Sequence, residues 1–223
     1  IAWNWAWSNE WAPRVIDRLP PDVELMCTSE EAVETAVGGV GGRVHDYSIS
    51  QVGPGPYATQ QWQHAQARGL KPVAKVQLNS TWECSAVPYL PVPQLVGKHL
   101  DGLRQAGIDN FMLSWTLGGY PSFILELLSA NSLTETLEHH FPSNAVALIE
   151  AACEQFSAAF TEFPFSISVV YHAPQTFGPM NLLHLFPTGF TATMLGFPYD
   201  DLQTWRNIYP EDVFESQFRI LSD

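Results

Sequence analysis

The sequence predicts an α/β fold built from parallel βα units, on three observations. Short apolar or alternating runs recur along the first half of the 223-residue chain. Each is followed by a helical stretch of about 8–15 residues, and Gly or Pro marks the changeovers. The runs start near residues 1, 23, 44, 71 and 110, the spacing of successive units in a barrel or an open parallel sheet. The expected form is a (β/α)8 TIM-barrel-like fold. Residues 1–122 would supply the last strands of the barrel, and a mainly helical region over 123–223 would pack on it. Five strands do not close an eight-stranded barrel, so about three more are expected upstream of Ile1 or from elsewhere.

The elements follow in order. Residues 1–8 read as the first strand, and residues 11–19 as a helix stopped by Pro20-Pro21. Residues 23–29 (VELMCTS) read as the second strand, with a short helix over 31–37 ended by Gly38-Gly39-Val40-Gly41-Gly42. Residues 44–50 read as the third strand. After the turn Gly53-Pro54-Gly55-Pro56 comes a helix over 57–68, with Gly69 as its stop. Residues 72–79 (PVAKVQLN) form the fourth strand. The helix over 94–106 has Val96, Leu100 and Leu103 on one face and Lys98, Asp101 and Arg104 on the other. Residues 111–117 (FMLSWTL) complete the set. Beyond Gly119 the pattern turns helical: 145–163 carries Leu148, Ile149, Ala152, Phe156, Ala159, Phe160 and Phe163 on one expected stripe, and 165–170 reads equally as strand or helix.

Composition narrows the function. Apolar residues make up 46% and charged residues 15%, yet no apolar run reaches the roughly 18–20 residues of a membrane span. A formal charge of −13 repels nucleic-acid backbones and anionic membrane surfaces, so neither is an expected partner. Cys27, Cys84 and Cys153 lack CxxC spacing and read as small buried hydrophobes. No signal peptide is visible, and compartment and oligomeric state stay open. The seven histidines form no HxxxH or HxH set, so neither a metal site nor a cofactor is expected.

Barrel chemistry sits at the C-terminal ends of strands, which makes the polar residues there the ones to weigh. They are Asn4 and Ser8 beside Trp3, Trp5 and Trp7; Thr28, Ser29 and Glu30; Asp46, Ser48 and Ser50; and Lys75, Gln77 and Asn79, followed by Trp82-Glu83. Alternation puts Lys75, Gln77 and Asn79 on one face, where a row of polar groups suits a wet pocket better than a plain core. Indole rings pack on the C–H face of a sugar while amides and carboxylates take its hydroxyls, so Trp82, Trp115, Tyr120 and Trp5 join that row as candidate carbohydrate contacts. Glycoside hydrolysis uses two carboxyl groups, and Glu83, Glu30 and Asp46 are the candidates. Each also has a plainly structural reading: Glu30 as a helix-dipole partner, Asp46 as a buried hydrogen-bonding residue, Glu83 as a solvated loop acid, and the three N-terminal tryptophans as packing.

The segments Asn79-Ser80-Thr81-Trp82-Glu83, Ala86-Val87-Pro88-Tyr89-Leu90-Pro91-Val92 and Leu113-Ser114-Trp115-Thr116-Leu117-Gly118-Gly119-Tyr120-Pro121-Ser122 resemble uncharacterised bacterial proteins related to glycoside hydrolases. Gly178-Pro179-Met180-Asn181 and Phe197-Pro198-Tyr199-Asp200-Asp201-Leu202 are similar to parts of the same family. The resemblance is densest over 77–122 and 174–206 and implies a hexosaminidase-like barrel. The adjacent Asp-Glu pair that hexosaminidases place on one strand is absent from this chain. The expected function is a glycoside hydrolase-like enzyme acting on a carbohydrate, with Glu83 and either Glu30 or Asp46 as its acid pair. The alternatives are a non-catalytic sugar-binding barrel and a sugar isomerase or epimerase using Lys75, or an acid with a metal.

Overall fold

The computed structural model describes residues 1–84, 87–113, 120–130, 132–172 and 206–223, the side chains of 171 and 172 excepted. Along the chain come β1 (Ala2–Trp3), α1 (Ala12–Ile16), β2 (Leu25–Thr28), β3 (Glu34–Val37), β4 (Val40–Arg43), α2 (Pro56–Ala67), β5 (Pro72–Val76), α3 (Pro93–Gln105) and β6 (Phe111–Leu113). After them come α4 (Phe123–Glu126), α5 (Leu133–His140), α6 (Ser143–Phe160), α7 (Ile167–His172) and α8 (Glu211–Ser222).

The fold is mixed α/β. Its sheet has the order β1-β2-β5-β6, with every pair parallel and the registers Ala2↔Leu25, Leu25↔Pro72 and Ala74↔Phe111. The order follows the chain without reversal, and each crossover carries a helix: α1, α2 and α3 in turn. β2 and β5 are buried at every residue, as strands covered on both faces must be. A continuous core joins Leu25, Cys27, Ala74 and Val76 of the sheet to Trp62 of α2, Leu100 and Leu103 of α3, and Cys153 and Phe160 of α6.

The structure differs from expectation in three places. Residues 31–37 are not a helix and 44–50 are not a strand. Instead β3 and β4 form an antiparallel hairpin with Val37 opposite Val40, closed by Gly38 and Gly39 at φ 59° and 75°. Two consecutive left-handed residues make the tight turn that matches strand twist, and glycine takes that conformation without steric cost. Thr35 and Val37 are buried while Glu34 and Ala36 are exposed, the period-2 signature of a strand. The expected third parallel strand is therefore a loop. Val44 still bonds to Val33 and Ala32, but Asp46 at φ 66° breaks the extended run, and 47–50 fold inward. Third, the buried stripe of α6 is Val146, Cys153, Ser157 and Phe160, while Leu148 and Phe156 face solvent at 74% and 54% exposure.

The first expected strand, residues 1–8, is shortened to β1, because the chain turns after it with Ala6 at φ 61°, and other elements lie close to where they were expected. α3 buries Val96, Leu100 and Leu103. The region read as strand or helix is α7, and Ser132 caps α5 by accepting from the Glu135 amide at 3.1 Å. Cys27 and Cys153 are buried, Cys84 is partly so, and none of the three forms a disulfide among the described residues. Among the described residues no helix is long and apolar enough to cross a membrane.

The turn before α2 is fixed by close approach. Gly55 donates to the Ser29 carbonyl at 2.6 Å, and a Cβ on it would lie 2.1 Å from the Glu31 carbonyl oxygen. Gly55→Ala is therefore expected to lower stability by about 3 kcal/mol, since neither backbone can yield without breaking the strand-end bond. A urea melt showing less than about 1 kcal/mol of loss would mean that this loop relaxes freely.

Candidate functional site

Parallel strands bring their C-terminal ends to one edge of the sheet, and the chain places an unusual density of polar groups there. Asn4, Thr28, Ser29, Glu30, Ser48, Ser50, Lys75, Gln77, Asn79, Ser80, Thr81 and Glu83 are each at most 3% exposed. Buried polar groups need partners, so their bonding separates structural groups from poised ones.

Glu83 is the satisfied acid. It sits in the 3-10 turn Trp82–Cys84 and accepts from the Ser48 hydroxyl at 2.7 Å, the Ile49 amide at 2.8 Å, the Ser50 amide at 3.3 Å and the Ser50 hydroxyl. Burial pushes its carboxyl above the usual range, and these donors oppose the shift. The carboxylate is thus the anchor that draws the 48–50 loop onto the strand ends.

Glu30 is the opposite case. It is wholly buried directly after β2, and neither carboxyl oxygen has a hydrogen-bond partner among the described residues. The nearest charged or chargeable group is His99 Nδ1 on α3, 3.5 Å from Oε1. Burial holds the Glu30 carboxyl well above its ordinary pKa; Glu83 raises it further, while nearby backbone amides and Ser29 lower it in part. The imidazole cannot neutralise it, because burial pushes His99 down to about 4 and leaves it neutral. His99 Nε2 meets the Ser29 hydroxyl at 2.6 Å. Glu30 is accordingly an acid in a closed interior, where burial favours its protonated form.

Lys75 on β5 is 1% exposed, with its ammonium 5.4 Å from the Trp3 ring and 5.2 Å from the Tyr47 ring. Burial lowers its pKa, and the charges of Glu30 and Asp46 raise it, so the lysine lies within electrostatic reach of both acids.

Asp46 belongs to the accessible part. It accepts from the Trp5 indole at 2.7 Å, and its own amide donates to Glu31 Oε2 at 2.7 Å. Its left-handed backbone turns the chain at this point. Here a cleft of about 260 Å³ opens, lined by Asn4, Trp5, Ala6, Trp7, Thr28, Glu31, His45, Asp46 and Tyr57. Trp5 is 53% exposed and stacks on Trp3, centroids 5.7 Å apart and planes at 28°. Asn4 is held by Gln61 at 3.1 Å and by the Thr28 amide at 3.3 Å, and the Tyr57 hydroxyl donates to the Trp7 carbonyl. Among the described residues no three His, Cys, Asp or Glu side chains converge as metal ligands would.

Nothing matches this chain: no family model, no curated protein and no solved structure is similar to it. The geometry alone carries the interpretation.

The residues expected at the site divide accordingly. Asp46 and Trp5 line the cleft. Glu30, Lys75, Gln77 and Glu83 lie behind it, at most 1% exposed, so the polar row of β5 points into a closed interior rather than an open pocket. Asn79 donates to the Tyr120 carbonyl and accepts from the Ser122 hydroxyl, tying the end of β5 to residues 120–122. Trp82 packs edge-on against Tyr47 with centroids 6.0 Å apart, and Tyr120 stacks on Tyr89 at 6.1 Å, away from the cleft. Trp115 and the motifs at 178–181 and 197–202 lie outside the described residues. Sequence reasoning passed over Glu31, His45, Tyr47, Tyr57 and His99. The last had a readable signal, standing three residues after Val96 and four before Leu103 on the apolar face of α3.

Proposed function

We propose that this protein is a glycoside hydrolase-like enzyme whose acids act at the strand ends of a (β/α)8-type barrel, four consecutive strands of which are β1, β2, β5 and β6. Sheet order that follows chain order, with a helix in every crossover, supports the barrel over a doubly wound sheet, whose order reverses.

One observation carries the reading. A fully buried acid whose protonated form burial favours, Glu30, and a second carboxyl group on an accessible wall, Asp46, both act electrostatically on one buried lysine, and an exposed tryptophan donates to Asp46. Two carboxyl groups in environments that push their roles apart are what glycosidic cleavage needs: one gives a proton to the leaving oxygen, and the other attacks or activates water. In this assignment Glu30 is the acid, Asp46 the nucleophile or base, and Trp5 the platform for the sugar. Glu83 holds the loop that positions Asp46.

A second reading, a sugar-binding barrel without catalysis, is favoured by the complete burial of Glu30, which does not line the cleft. The test is incubation of the protein and of Asp46→Asn with nitrophenyl glycosides and oligosaccharides, reading released product. The enzyme reading expects turnover that falls by about 10²–10⁴ in the variant. Ligand binding without product after long incubation rejects it and leaves the binding module.

A further inference from the structure

The cleft beside Trp5 has a charge character that the sugar reading alone does not use. Its wall holds two carboxyl groups, Glu31 and Asp46, joined through the Asp46 amide, and no Lys or Arg is among its lining residues. Burial pushes the Glu31 carboxyl upward, the Asp46 amide and His45 oppose that shift, and the Asp46 charge adds to it, so the two acids repel each other. The cations nearby do not fill the cleft. Lys75 lies against the rings of Trp3 and Tyr47, Arg43 is exposed on β4, and the half-exposed His45 reaches Glu31 at 3.6 Å and is charged only when protonated. Three aromatic side chains line it as well: Trp5, with about half its surface open to solvent, Trp7 and Tyr57.

A ligand entering here meets indole and phenol rings together with two carboxyl groups. A bound cation is attracted to both, by charge pairing and by the ring quadrupole, and it relieves the Glu31–Asp46 repulsion. An anion is opposed by both carboxyl groups, and a neutral ring gains only the stacking. A volume of about 260 Å³ falls below the usual range for drug-sized ligands and suits a single ring.

We propose that the cleft selects a sugar unit bearing a free, protonated amino group over neutral and acidic sugars, with the ammonium against Glu31 and Asp46 and the ring on Trp5. The proposal rests on the carbohydrate reading and deepens it by naming the substrate class.

Tryptophan fluorescence and calorimetric titration of the full chain at pH 6.5 test it, with glucosamine, glucose and glucuronate as probes. Glucosamine is expected to bind about tenfold more tightly than glucose, and glucuronate not measurably. Glu31→Gln keeps an acceptor for the Asp46 amide while removing charge, and it is expected to lower the affinity for glucosamine about tenfold and that for glucose by much less, so that most of the glucosamine advantage is erased. Trp5→Ala, at an exposed position, is expected to weaken both sugars. Equal binding of glucosamine and glucose overturns the proposal and leaves the carbohydrate reading standing. Glucosamine selectivity without any glycoside turnover supports it while rejecting catalysis. Failure of every sugar to bind overturns both.

Discussion

Glu30→Gln is expected to make the protein more stable at pH 8 while abolishing glycoside cleavage. The folded state keeps a proton on Glu30 that the unfolded chain releases above its ordinary value near 4.5. Where the folded state binds more protons, stability falls as pH rises. The contribution of Glu30 is therefore fully present below pH 4.5 and is lost as pH climbs toward the raised folded-state value. The loss within that window is at most about 1.4 kcal/mol per pH unit. Glutamine copies the shape of the neutral acid but cannot ionise, so the variant lacks this slope. Each kcal/mol recovered corresponds to about 2–4 °C in melting temperature for a chain of this length. The gain should be largest at pH 8 and vanish near pH 4. Glu83, also shifted upward, contributes a slope of the same sign, but it is present in both proteins and cancels in the difference. Activity responds the other way, because an amide has no proton to give, and the expected loss is about 10²–10⁴-fold. Calorimetry at pH 4, 6 and 8 with parallel assays is the check. A variant destabilised equally at all three values would mean that folding does not raise the Glu30 pKa, and a destabilisation that grows with pH would mean that its carboxylate is ionised and bonded in the fold; either removes its role as the acid.

The same contrast between acids shows how far sequence reasoning reached. β2, β5 and α3 were legible because each has a single period over enough residues: continuous burial in the strands, and a 3.6-residue repeat through Val96, Leu100 and Leu103. Residues 34–43 were not, because Gly38-Gly39 serves equally as a helix stop and as a hairpin turn, and a seven-residue stretch is too short for its period to decide. α6 was read with its buried face rotated. With alanine at 145, 147, 151, 152, 158 and 159, the apolar pattern covers most of the circumference and fixes no direction. Inspecting strand ends did pick out Glu30, Lys75 and Glu83 beside the ends of β2 and β5, whereas Asp46 was taken from an expected strand that is a loop. Sequence could not tell which acid receives donors, since the groups that satisfy Glu83 lie 33–35 residues away on a loop that folds back only in three dimensions. Nor could it show that the accessible wall is made by Trp5 and Asp46, because that cleft depends on the left-handed turn at Asp46, where the residue type merely permits such a turn.

Glu83→Ala is expected to be the most destabilising single change at this edge. It strands the Ile49 and Ser50 amides and the Ser48 and Ser50 hydroxyls in a buried site. An unsatisfied buried group costs about 1–3 kcal/mol, and two or more left bare after partial relaxation give a loss of about 4 kcal/mol. Glu83→Gln should cost less, because its carbonyl still accepts, although its amide group faces donors instead of acceptors. Local opening should appear first in hydrogen exchange, as faster exchange at the Ile49 and Ser50 amides with β2 and β5 unaffected. If Glu83 acts through the loop, Glu83→Gln shifts Asp46 with that loop, so its activity loss should track the loss of exchange protection. A Glu83→Gln protein that keeps full protection at both amides yet loses turnover by orders of magnitude would make Glu83 itself the reacting acid and would displace Asp46 from that role.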